Sequence, residues 1–264
     1  MKNNGIIILL MTFVACTPQT ESRIEEEKDS NPAAEGFNQE LSDPEAIAWA
    51  DVVMQVMGGR KKWDNTRFLA WNFFGARDLV WDKQTGRVRI DFPRDSSIYL
   101  VNIHTLEGKV WRKGQELTEP DSVAKYLERA KSIWINDSYW LVMPFKLKDS
   151  GVTLKYLRQD TTQAGAAAEV LELTFENVGN TPNNKYEVFI DKSDSLVKQW
   201  AYFRNAVQDS ASAIWPWDNY SDYNGLLLSG DRSDNKGPKN VRVYEVLGDE
   251  VFESFELPVF DNKE

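Results

Sequence analysis

The stretch from Tyr139 to Ala206 constrains the fold of this chain more than any other, because most of it repeats with a period of two. Residues 139–145, an apolar run closed by Pro144, read as a strand, Asp149-Ser150-Gly151 is turn chemistry, and extended character resumes over residues 152–157. Residues 167–176 alternate, with Leu171, Leu173 and Phe175 on one face and Glu172, Thr174 and Glu176 on the other. After a loop holding Gly179 and Pro182, residues 185–191 alternate again, setting Tyr186, Val188 and Ile190 against Lys185, Glu187 and Asp191. A tight turn then leads into residues 196–206. Strands of this pattern joined by short turns predict an antiparallel sheet with one dry and one wet face.

The 264 residues suffice for one large β domain with a sizeable core. Ten Trp among 12% aromatic residues argue against a disordered chain and suit a pleated surface. A net charge of −10, with no basic stripe, speaks against a nucleic-acid partner. With only Cys16 and only His104, an intrachain disulfide is impossible and any metal site would need carboxylates.

At the N-terminus, Lys2 precedes an apolar segment over residues 5–14, and Ala15 precedes Cys16. This predicts a signal peptide over residues 1–15. Phe13-Val14-Ala15-Cys16 resembles the lipobox of bacterial lipoproteins, which implies cleavage before Cys16 and acylation (palmitate among the chains) of its thiol. Such chains contribute roughly 0.8 kcal/mol per buried methylene to membrane anchoring. Residues 16–42 are poor in apolar side chains. Over residues 17–43 eight acids stand against Arg23 and Lys28, so a solvated acidic tether is expected. The folded domain is expected over residues 43–258, with a tail over 259–264.

Ser42-Asp43-Pro44-Glu45 opens a helix whose Ile47, Ala50, Met54 and Met57 share a face, and Gly58-Gly59 ends it. A short helical turn is expected over residues 60–65. Strands are predicted at 67–74, 78–82, 87–92, 98–104 and 109–112, and a second helix at 119–134. Residues 207–223 read as looser, and 226–229, 241–247 and 251–255 as closing strands. The sum is a mainly β (α+β) protein: about ten or eleven antiparallel strands in a curled, half-open barrel, lidded by two helices.

No catalytic constellation emerges. His104 lacks an identifiable partner for general-base work. Asp191 and Asp194 belong to turn chemistry. The loop from Asp231 to Gly237 has its glycine one place late for a calcium loop, and Arg242 stands where a glutamate is needed. No glycine-rich phosphate loop is present. The expectation is a protein without cofactor, metal or catalytic residue. An apolar cavity remains as the lead, and its candidate lining is Trp71, Phe73, Val88, Ile90, Leu171, Leu173, Phe175, Val188 and Ile190.

The run YWLVMPFKLKDSGVTLKYL, the later LELTFENVGNTPNNKYEVFIDKSDSLVKQWAYF and Trp71-Asn72-Phe73-Phe74-Gly75 resemble the lipoprotein-sorting (LolA/LolB-like) proteins of the bacterial envelope. The resemblance implies an incomplete antiparallel barrel under helices, a cavity that holds acyl chains in relatives, and a non-enzymatic role. The partners it implies are a lipid or other hydrophobic small molecule, and the membrane through the N-terminal anchor. The location it implies is the cell envelope, at the outer membrane. The rival readings are a structural or protein-binding lipoprotein with a filled barrel, and an envelope hydrolase.

Overall fold

The computed structural model describes residues 30–176, 178–234 and 236–256. Among them the fold is mainly β, with fourteen antiparallel strands in three sheets that do not close into a barrel. The first sheet has seven strands: β1 (Phe68–Phe73), β2 (Arg77–Asp82), β3 (Arg87–Phe92), β4 (Ser97–Asn102), β5 (Gly108–Arg112) and β6 (Gln115–Glu116) in sequence order, with β14 (Pro238–Tyr244) beside β1. The second has five in the order β11-β10-β9-β8-β7: β7 (Val152–Thr161), β8 (Ala167–Phe175), β9 (Lys185–Asp191), β10 (Val197–Phe203) and β11 (Ala213–Pro216). A ribbon of β12 (Asp218–Tyr223) and β13 (Leu226–Asp231) sits between them, β12 near β10 and β13 near β14. The half-open, curled antiparallel architecture expected from the sequence is thus present, with more strands than the ten or eleven expected because residues 213–223 are also extended.

Alternation explains which side chains meet. Leu69 and Trp71 of β1, Val88 and Ile90 of β3, Leu171 and Leu173 of β8, and Val188 and Ile190 of β9 join one buried cluster shared by both large sheets. The opposite faces are partly dry as well. Phe68, Ala70 and Val80 pack under Val251 and Phe252 of the short helix α4 (Glu250–Glu253). This corrects the strand expected at 251–255: Val251 and Phe252 are consecutive and both buried, which a half-wet strand forbids and a helical turn allows. Arg89, which alternates with the inward-facing Val88 and Ile90, is fully buried on the opposite face, pairing with Asp91 at 2.7 and 2.9 Å and donating to the Val251 and Ser254 carbonyls.

Two further corrections matter for function. Residues 139–145 are not a strand. They continue the second helix, α3 (Pro120–Val142), and then a 3-10 turn over Met143–Lys146. Leu127, Ala130, Asp137, Ser138, Leu141 and Val142 are its buried positions, a helical spacing that runs straight through 134. A short apolar run does not by itself distinguish strand from buried helix; here the helix is set by its cap and its packing. Glu119 caps it, accepting from the Asp121 and Ser122 amides at 3.1 and 2.7 Å.

Part of the stretch expected as a tether over residues 16–42 is docked chain, from Asn31 onward. Phe37 is buried in the main cluster, and Ala34 N–H donates to the Lys148 carbonyl at 2.9 Å. Residues 38–43 then lie along the edge of β7. The Asn38 and Asp43 amides donate to the Val152 and Leu154 carbonyls, and the Leu154 and Tyr156 amides donate to Ser42 Oγ and Asp43 Oδ2. An edge strand so covered cannot recruit another chain there. Asp43 opens α1 (Pro44–Val56) without capping it, because its carboxylate is spent on Lys155 and Tyr156, which hold its pKa below the usual range. The short helix α2 (Arg60–Asn65) then follows α1 as expected.

Two outcomes follow from this packing. Leu173 is fully buried, so Leu173→Phe overpacks the core and lowers the unfolding free energy by about 1–3 kcal/mol, read from denaturant melts. Phe37→Ala lowers it by roughly 3–5 kcal/mol, whereas a mere tether residue would change nothing.

Candidate functional site

A cavity of about 270 Å³ lies between the C-terminal half of α3 and the inner face of the five-stranded sheet. Its walls are predominantly aromatic: Trp134, Tyr139 and Trp140 from α3, Phe175 from β8, Tyr186 from β9 and Trp200 from β10. Ile135, Val152 and Val178 supply the aliphatic part.

The rings hold one another. Tyr186 contacts Tyr139, Phe175 and Trp200 with centroids 5.7, 5.3 and 4.8 Å apart, and Trp140 meets Trp200 edge-on at 4.9 Å. Each such pair contributes roughly 0.5–1.5 kcal/mol beyond area burial, so the rings brace one another. Burial pushes the Tyr139 phenol well above its ordinary pKa and raises that of Tyr186, so both rings stay neutral across the physiological range.

Two arginines fix the helix that carries half of the wall. Arg77 of β2 meets the fully buried Asp137 through two parallel bonds of 2.8 and 2.9 Å. Burial raises the Asp137 pKa even so, and the Asn136 amide adds a bond of 3.0 Å to the same carboxylate. Arg232, fully buried after β13, donates to the Trp140 carbonyl at 2.6 Å in the last turn of α3 and lies 3.4 Å from the Trp217 ring. A cation on carbonyls at a helix C-terminus complements the helix dipole. Burial lowers the pKa of Arg232, yet a guanidinium remains protonated at neutral pH.

The rim is polar and charge-balanced. Lys146 and Asp149 pair across the turn after α3, and Asn136, Ser150 and Thr181 complete the rim. Asn180 donates to the Ser132 carbonyl at 3.0 Å and joins the loop after β8 to α3.

Of the nine side chains expected to line a cavity, only Phe175 does so. Trp71, Val88, Ile90, Leu171, Leu173, Val188 and Ile190 meet in the main cluster, each at most 2% exposed, and Phe73 packs against it. The concave face was located correctly by alternation, but most of it is occupied by helices and by its own side chains. Tyr186 is in phase with Val188 and Ile190 and was within reach of the same argument. Tyr139 and Trp140 fall in the apolar run read as a strand over residues 139–145, and Trp134 is the last residue of the helix predicted at 119–134.

No group of three or more metal-ligating side chains occurs among the described residues. His104 is exposed in the turn after β4, against Gly86. Gly86 has φ +75, and a Cβ there would come within 2.2 Å of the imidazole, so the turn requires glycine. Among the described residues no helix is long and apolar enough to cross a membrane. Cys16 lies outside the described residues.

No family model and no curated protein matches this chain. Among solved structures, it is similar to a DUF1329 family protein from Desulfovibrio piger, with 13% identity, a TM-score of 0.43, and coverage of 81% of this chain and 98% of that one. A domain assigned to outer membrane lipoprotein sorting from Vibrio parahaemolyticus matches at 9% identity and a TM-score of 0.36, over 77% of this chain and 97% of that one. A LolA superfamily protein from Nitrosomonas europaea matches at 11% and 0.38, over 78% and 99%. Every TM-score is below 0.5, and none of these likenesses fixes the family of the chain.

Near the rim, Phe145 stacks on Trp63 at 4.5 Å, and Lys83 covers the same indole at 3.6 Å while donating to the Trp63 carbonyl. Desolvation lowers the Lys83 pKa from 10.5 to about 8. The folded protein therefore binds fewer protons than the unfolded chain between those two values, and stability rises with pH across that window. It is flat below pH 8, where the lysine is charged in both states. Raised tyrosine pKa values act in the opposite sense from about pH 10. The expected result is a gain in melting temperature between pH 8 and 10 that Lys83→Met abolishes; an equal gain in the variant would assign it elsewhere.

Proposed function

We propose that this chain is a cell-envelope protein, anchored at the outer membrane through lipid on Cys16, that binds a hydrophobic ligand of the lipid class and catalyses no reaction. The single observation that carries the binding role is the aromatic cavity between α3 and the five-stranded sheet. Its volume of about 270 Å³ is just under the ~300–1,000 Å³ of small-molecule sites, which limits the occupant to one short chain or a compact apolar body. Capture is passive: burial of apolar surface contributes about 25 cal/mol per Å². The anchor rests on the signal-peptide pattern and on Cys16 alone.

A second reading, a structural or protein-binding lipoprotein, is favoured by the filled state of the remaining half-barrel, where Trp71, Val88, Ile90, Leu171, Leu173, Val188 and Ile190 leave no room for a guest.

Uptake of a polyene fatty acid that fluoresces in apolar surroundings separates the two. The cavity reading expects saturable binding that Val178→Trp, which fills the cavity, weakens at least tenfold with little change in melting temperature. A chain that takes up no apolar probe supports the scaffold reading. For the anchor, Cys16→Ser is expected to move the protein to the soluble fraction and to remove the acyl mass; an unchanged membrane-bound fraction would overturn it.

A further inference from the structure

The lining of the cavity points to a narrower ligand class than hydrophobic molecules at large. Resting on the binding role proposed above, we propose that the site selects a neutral, planar, one- or two-ring compound over an acyl chain.

Three observations carry this. Six of the side chains around the cavity are aromatic and three are aliphatic. Flat, mutually braced walls reward a flat guest, because ring–ring contacts add to area burial while a flexible chain gains area alone and loses rotamer freedom on entry. Second, the volume of about 270 Å³ lies at the small end of small-molecule sites, a size that suits a fused ring pair better than a long chain. Third, the charges at the rim cancel. Lys146 is paired with Asp149, and the remaining polar rim groups are the neutral Asn136, Ser150, Asn180 and Thr181. A carboxylate would meet Asp149 and an ammonium would meet Lys146, whereas a hydroxyl or carbonyl finds amides and hydroxyls.

The lining rings are also free of the duty that other rings here perform. Arginine or lysine stands over Trp63, Phe68, Phe73, Tyr126, Phe203, Trp217, Tyr220 and Phe252, and none of these lines the cavity.

The test compares two neutral alcohols, 2-naphthol and 1-decanol, by calorimetric titration of the full chain. The expected result is at least tenfold tighter binding of 2-naphthol. Tyr186→Leu and Trp200→Leu keep the walls apolar but remove the rings; they are expected to abolish the preference while decanol affinity stays within about threefold. Should either variant fail to fold, the ranking of the two alcohols on the native chain still decides. Decanol binding as tightly as 2-naphthol, or a preference that survives both substitutions, overturns the inference and leaves the binding role standing. If neither alcohol nor the polyene fatty acid binds, the binding role itself falls.

Discussion

The position of α3 is the constraint on which the rest depends. A 23-residue helix lies in the open side of the half-barrel, and it stays there because two arginines, the half-buried Arg77 and the fully buried Arg232, hold its C-terminal half. Arg77 binds its Asp137 carboxylate, and Arg232 binds its Trp140 carbonyl. Taking these charges out of water is costly, and the geometry repays it only because both oxygens of Asp137 are met and Arg232 rests on an indole face. With α3 fixed, Trp134, Tyr139 and Trp140 are fixed too, and with them one wall of the cavity.

An incomplete barrel has edges, and each is handled by a different device. The edge of β7 is taken by residues 38–43, whose backbone and side chains satisfy its amides and carbonyls. At the other end of the first sheet β6 is only two residues long. The ribbon of β12 and β13 bridges the remaining gap, with the Tyr220 hydroxyl donating to the Val197 carbonyl at 2.8 Å. These devices keep a curled sheet from pairing with other chains while leaving its concave side accessible to a helix.

The division of aromatic residues follows from the same arrangement. Rings on the outer and turn-facing surfaces are capped by arginine or lysine, which bury their stems and keep charge in contact with water. Rings under α3 pack edge against face and enclose the cavity. The half-barrel is therefore a packed core over most of its inner face and encloses a cavity over one corner of it.

The sequence by itself determined the antiparallel, mainly β class and the inward faces of β3, β8 and β9, because a period of two sends alternate side chains to opposite faces. It also determined the start of α1 at Ser42-Asp43-Pro44 and the short helix at Arg60–Asn65. Only tertiary structure decided the rest. Residues 139–142 became helix because Asp137 and Trp140 find Arg77 and Arg232, residues 60 and 92 positions away. Residues 34–43 became part of the domain because Lys148, the main cluster and the edge of β7 offer partners to a segment whose own composition is that of a linker. Phe175 and Leu173 share one face of β8, yet one lines the cavity and the other is core. Periodicity assigns a side chain to a face; what stands opposite that face is set by partners far away in sequence.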